Sequence, residues 1–356
     1  MRHAVLPLLL ALLGLLPVAS PAQTTSSADA LARAVVSEAA GRLDDTLAAA
    51  SQSAVSLGEA YAAVLRDTPP PSPRARARLL RDHAVKDGTV ALRDPDNACG
   101  ETPATGAPCP SLFFYDSERF TDNALRELAA MRRLTPVLAA THDALPFSWV
   151  YLTTPGQSFV IYPALALDEA VHNHQPTQQV FYTAADFAGK RCGWQSPYLD
   201  LAGAGMMVTV SCPVYDGDAL LGVASRDITL TQLSKRVMAD LEAIPGARAV
   251  LVNRRGKAIA ASDPKLAARI AAQNARAGDA VVHFRADRGL IALGKDKYAA
   301  SSDEDCNQAV ELVLEQVAST RQWPLVISRK RGTILAARLE TTGWYLILLL
   351  PDKGAS

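Results

Sequence analysis

Between Ser27 and Arg66 apolar side chains recur at roughly helical spacing: Leu31, Val35, Leu43, Leu47, Val55, Leu57, Tyr61 and Leu65. The stretch is rich in alanine and free of proline. It predicts one amphipathic helix of about 40 residues, well beyond the mean globular length. Pro69-Pro70-Pro71 ends it, because proline removes the amide hydrogen that a helix needs. A second helix is predicted from Pro73 to about Lys86, then a loop from Asp94 to Pro110. A third helix is predicted from Asp122 to Thr141 through Leu125, Leu128, Met131 and Leu134.

From Trp149 the pattern becomes that of strands. Trp149-Val150-Tyr151-Leu152, a Pro155-Gly156 turn and Ser158 to Tyr162 predict a hairpin, and Met206–Val214 with Leu220–Ile228 predict another around Asp216-Gly217-Asp218. The same grammar returns at Ala249–Val252, Arg255-Gly256 and Lys257–Ala260, with a helix from Pro264 to Ala275 behind it. Leu325–Ile327, Thr333–Arg338 and Trp344–Leu350 supply three more strands. The fold class is α+β, with two successive modules behind one long helix. The expected boundaries are 1–22 for a leader, 23–70 for the helix, 71–237 for the first module and 238–351 for the second.

Composition changes this picture little, except at the N-terminus. Hydrophobic residues make up 49% and charged residues 20% of the 356, which is ordinary for a globular chain with a sizeable core. The 36 basic side chains balance 36 acidic ones, so no overall field favours nucleic acid. Arg2, the apolar run Leu6–Val18 and the small residues Ala19-Ser20-Pro21-Ala22 have the layout of a secretory signal peptide cleaved after Ala22. An uncleaved anchor is the competing reading, although the run is short for a membrane span. Export permits disulfides. The five cysteines leave at least one unpaired within the chain: Cys99–Cys109 is the leading pair, Cys192–Cys212 the second, and Cys306 the odd one out, with small buried hydrophobes as the alternative for all.

Signs of catalysis are missing. No Gly-x-Ser-x-Gly elbow or Walker motif occurs, and Gly203-Ala204-Gly205 precedes a strand, so a tight turn fits it better than a phosphate cradle. His172-Asn173-His174 could share a metal ion if extended, but no further ligand pair stands at fixed spacing, and solvated histidines are the plainer reading. No catalytic residue, cofactor or metal is therefore expected. Val180 to Asp227 is richer: Phe181-Tyr182, Trp194, Pro197-Tyr198-Leu199-Asp200, Val208-Thr209, Pro213-Val214-Tyr215 and Gly222-Val223 through Asp227-Ile228. Aromatic faces beside carboxylates suit a cationic amine, while a plain core role for Phe181, Tyr182 and Tyr198 stays open.

In these ordered motifs the chain resembles the double Cache family, the extracytoplasmic sensor domains of bacterial chemoreceptors and kinases. The resemblance is strong from Trp149 to Leu233 and weak beyond Ala249. It implies two PAS-like α/β modules with antiparallel sheets and a ligand pocket in the first, lined by Tyr151, Gln179, Phe181, Tyr182, Tyr198, Asp200 and Asp227. In amino-acid-binding members the Tyr198 and Asp227 positions hold the ligand ammonium. An arginine two residues before the first aromatic holds the carboxylate, and this chain has Gln179 there and Phe181 in place of tryptophan. Loss of a bidentate, permanently charged donor favours an amine-like or neutral polar ligand over an ordinary amino acid, unless Lys190 or Arg191 substitutes.

The expectation is an exported small-ligand sensor, periplasmic or secreted, that is not an enzyme. It would signal through a separate membrane partner, because the chain offers no second apolar span. The rivals are a periplasmic solute-binding protein feeding a transporter and a ligand-free regulatory subunit docking through the long helix.

Overall fold

The long apolar stripe folds as helix α1, Pro21–Arg66, in which Val36, Ala40, Leu43, Leu47, Ala50, Ala54, Leu57 and Tyr61 are buried at three- to four-residue intervals. Its last carbonyls, those of Leu65 and Thr68 beyond it, accept from the Arg126 guanidinium at 2.8 and 2.7 Å. The computed structural model describes residues 21–81, 83–92, 105–146, 148–171, 175–200, 202, 204–237, 241, 246–277, 281–284, 298–319, 322–330 and 332–351. The leader, 1–22, thus lies outside the described residues but for its last two. The chain divides into two compact units, Ala48–Thr229 and Met1–Leu47 with Leu230–Ser356.

In the first of these, α2 (Pro73–Arg81) leads to β1 (His83–Lys86), β2 (Thr89–Leu92) and β3 (Ser111–Phe114). The helices α3 (Asp122–Arg132) and α4 (Thr135–Ala144) precede the hairpin β4 (Val150–Thr153) and β5 (Ser158–Tyr162). Two single helical turns, α5 (Leu167–Ala170) and α6 (Val180–Thr183), then lead to β6 (Gly193–Leu199), β7 (Met206–Asp216) and β8 (Ala219–Thr229). The eight strands make one sheet, antiparallel at every pairing, in the order β1-β2-β3-β5-β4-β8-β7-β6. One face carries Phe113, Tyr151, Phe159, Ile161, Met207 and Val223 against Phe181 and Tyr182 of α6.

Two expectations fail here for local reasons. The helix expected from Pro73 to Lys86 ends at Arg81, and His83–Lys86 pair instead with Thr89–Leu92. Asp87 and Gly88, with φ of 48° and 77°, form the kind of tight turn that Asp-Gly favours between strands. The single helix expected from Asp122 to Thr141 is two, because Pro136 starts a new one in its first turn after the break at Arg133-Leu134.

In the other unit α7 (Leu230–Val237) is followed by β9 (Arg248–Val252), β10 (Ala258–Ala261) and α8 (Pro264–Ala277). Next come β11 (Val281–His283), β12 (Tyr298–Ala300) and α9 (Glu304–Val317), and then β13 (Leu325–Arg329), β14 (Gly332–Arg338) and β15 (Tyr345–Leu350). Five strands form an antiparallel sheet ordered β10-β9-β15-β14-β13, while β11 and β12 pair in parallel. Val250, Phe284, Val310, Ile334 and Ile347 fill its core, with the free thiol of Cys306 among them. Asp303 caps α9 by accepting from the Cys306 amide at 3.0 Å, and Arg248 bonds both Asp303 and Asp305.

Candidate functional site

The register of β7 against β8 sets Thr209 directly opposite Asp227. Cross-strand partners lie within side-chain reach, and the Thr209 hydroxyl donates to Asp227 Oδ1 at 2.6 Å. A hydroxyl has one hydrogen, so the Tyr198–Thr209 contact at 2.7 Å runs from Tyr198 Oη to Thr209 Oγ1. Tyr151, on β4, donates to the same carboxylate oxygen at 2.9 Å. Three hydroxyls on three strands thus converge, directly or in relay, on one oxygen.

Asp227 is only 4% exposed. Burial pushes its carboxyl up to about 7, against the hydrogen bonds from Thr209 and Tyr151 that favour the ionised form. The Tyr151 and Tyr198 phenols are held well above the ordinary range, chiefly by burial and then by the Asp227 charge. They remain donors at any physiological pH. Around them stand aromatic rings: Phe181 meets Tyr151 edge-on at 5.4 Å, and Phe159 lies 5.5 Å from Tyr151.

The turn bearing Phe181 is pinned from beneath. Ser211 and Ser225, paired across β7 and β8, both aim their hydroxyls at the Phe181 carbonyl. Gly193 permits a close approach there, since a side chain at that position would collide with the Ala184 carbonyl. The bridge Cys192–Cys212 joins β7 to the residue just before β6.

With this geometry in place, residues 157–235 match the family described as methyl-accepting chemotaxis protein-like, first PDC sensor domain. Over those residues the chain is similar to a PDC-type sensor domain. The matched segment runs from the β4–β5 turn into α7 and contains every expected site residue except Tyr151, which lies six positions before it. PDC domains of this family are extracytoplasmic sensors and not enzymes. Among solved structures, the ligand-binding domain of the Pseudomonas aeruginosa PAO1 amino-acid chemoreceptor PctC in complex with GABA is 21% identical. That match covers 62% of this chain and 79% of the other at a TM-score of 0.36. The ligand-binding domain of the Pseudomonas fluorescens chemoreceptor CtaA with L-isoleucine is 17% identical over 66% and 82% at 0.37. At such scores the likeness is distant. A search of the curated proteins finds no match.

Of the expected site residues, the eight-stranded sheet and α6 bring Tyr151, Phe181, Tyr198 and Asp227 together. Tyr182 belongs to the same apolar cluster but its ring lies tilted against that of Phe187, with centroids 5.6 Å apart. The Asp200 carboxylate accepts from the Ala204 amide at 2.8 Å, and its charge raises the Asp227 carboxyl further. Gln179 precedes α6, where its carbonyl accepts from the amides of Tyr182 and Thr183. The suggested carboxylate partners are engaged elsewhere, Lys190 with Asp218 and Arg191 with Asp186, at 2.8 and 2.9 Å. Thr209 stands in the Val208-Thr209 motif but not among the expected site residues, and neither Ser211 nor Ser225 is among them, although their alternation with apolar neighbours along β7 and β8 is the signal that could have found them. His172-Asn173-His174 lies outside the described residues, as does Cys99, while Cys109 is disulfide-bonded.

Proposed function

We propose that the first module senses a small cationic ligand, an amine in preference to an ordinary α-amino acid, and holds it at Asp227. The observation that carries this is the buried Asp227 carboxylate, with Tyr151 and Thr209 both donating to Oδ1 and aromatic rings alongside. A carboxylate oriented by hydroxyls and flanked by π-faces stabilises an ammonium group through charge-assisted hydrogen bonds and cation–π contact. Gln179 in place of an arginine, with Lys190 and Arg191 engaged by aspartates, supports a ligand without an α-carboxylate. Output to a membrane signalling partner belongs to the same reading, by likeness to the chemotaxis family whose sensor domain it matches.

A thermal-shift panel of primary amines, quaternary amines, amino acids and carboxylates tests this on the whole protein and on Asp227→Asn. A ligand at 100 times its dissociation constant adds about 2.7 kcal/mol to the unit that binds it. An amine hit lost in the variant supports the reading. A carboxylate hit, or an amine hit that survives in Asp227→Asn, sinks it.

A further inference from the structure

We propose that the Cys192–Cys212 disulfide is a redox modification site, opened by a dithiol reductant, and that its opening unfastens the strand that carries Tyr198. The bridge stands at the rung next to the Gly193–Ser211 pair, at the start of β6. That strand is the edge of the sheet, with β7 its only neighbour among the described residues. Its register slips between Gln195 and Tyr198, where Pro197 interrupts the ladder, and Tyr198 and Leu199 then pair with Met207 and Met206. An edge strand broken by a proline and a bulge has little hydrogen bonding to keep it in place. The covalent link to β7 therefore carries much of its attachment.

Access and chemistry fit such a site. The bridge lies in a surface groove of about 440 Å³, lined also by Gly58, Lys190, Val214 and Tyr215. Cys192 is half-buried and Cys212 buried, so an incoming thiolate meets Cys192 first. In the first step the reductant's thiolate bonds to Cys192 Sγ, the S–S bond breaks, and Cys212 leaves as a thiolate that takes a proton. Cys212 Sγ lies 3.8 Å from the Ser51 carbonyl oxygen, which can accept from the new thiol. In the second step the reductant's other thiolate attacks the reductant sulfur of the mixed disulfide, and Cys192 leaves as a thiolate that takes a proton. The protein gains two electrons and two protons, and the dithiol becomes a disulfide.

The consequence for ligand retention rests on the reading of Tyr198 as a site residue. The exchange and the release of β6 do not, so the two fail separately. The whole oxidised protein is treated with graded dithiothreitol under native conditions, trapped with iodoacetamide and mapped by mass spectrometry. Amide hydrogen exchange of 193–199 is followed in parallel. Cys192 and Cys212 are expected to open while the bridge at Cys109 (1% exposed) stays closed. Exchange in 193–199 should quicken by about tenfold or more while 219–229 is unchanged. The double variant Cys192→Ser/Cys212→Ser should show the same fast exchange without reductant. Opening that occurs only with loss of the folded circular-dichroism spectrum overturns the proposal. So does exchange in 193–199 that stays slow in the reduced protein or in the double variant.

Discussion

Arg226 and Asp227 are neighbours on β8, both buried, and their side chains leave the strand on opposite faces of the sheet. Asp227 turns to Tyr151 and Thr209, while Arg226 donates to the carbonyl of Leu145 just past α4. Burial works against both charges: it raises the Asp227 carboxyl and pulls the Arg226 guanidinium down to about 10. Each charge eases the other through the sheet, since the cation lowers the Asp227 carboxyl and the carboxylate raises the guanidinium.

The Asp227 shift has a sign that calorimetry can read. Between its unfolded value of 3.8 and its folded value of about 7, the native state binds more protons than the unfolded one. Its contribution to stability is therefore fully present below pH 3.8 and is lost as pH rises to about 7, by at most about 4 kcal/mol at roughly 1.4 kcal/mol per unit. The thermal midpoint of the wild type, relative to Asp227→Asn, should fall across that window and level off above it. Equal pH slopes in the two proteins would show that Asp227 titrates normally.

Ligand binding should follow the same group in the opposite sense. A cation that pairs with the ionised carboxylate loses affinity as Asp227 takes up its proton, up to about tenfold per pH unit below 7. Isothermal titration of any amine hit at pH 6 and pH 8 measures this, with proton release on binding expected near pH 6.

Arg226 invites removal. Among the described residues its Nε and Nη1 have no hydrogen-bond partner, and the residue is fully buried. Arg226→Met keeps most of the volume but leaves the Leu145 carbonyl without its donor and buried Asp227 without the neighbouring cation, so unfolding in denaturant should show a loss of about 1–3 kcal/mol. Arg226→Ala should lose stability through the cavity it leaves. The Asp227 carboxyl should titrate higher in both variants, because the nearby cation is gone.

The seat of Phe181 offers a local test. Ser211→Ala removes the hydroxyl nearest the Phe181 carbonyl, at a cost of about 1 kcal/mol, since Ser225 still donates to that acceptor. Ser211→Thr should retain much of the bond. Amide exchange of 180–184 should quicken in the alanine variant more than in β8.

Much of this was legible in the sequence wherever one element decided its own fate. The end of α1 at Arg66 followed from three prolines, and β4, β5, β7 and β8 from alternation around Gly and Pro turns. β1 was hidden because PRARARLLR is strongly helical and its pattern ran on into His83–Lys86, although the Asp87-Gly88 turn marked the reversal. At the site, the aromatic and acidic residues stood out by type. Thr209, Ser211 and Ser225 did not, because a hydroxyl on a strand gains its meaning only from the residue opposite, and register across β7 and β8 is a property of two strands together.

The division of the chain between Leu47 and Ala48 falls inside α1, away from any loop. One unit is assembled from both ends of the polypeptide, and the other begins partway along a helix. A ribosome therefore completes Ala48–Thr229 before most of the residues that surround the helix's first half have been made. Until the C-terminal strands emerge, the apolar stripe from Val35 to Leu47 lacks most of its packing surface. An early stop codon, a proteolytic nick after Thr229 or a library cut at that point would strand the same stripe in water.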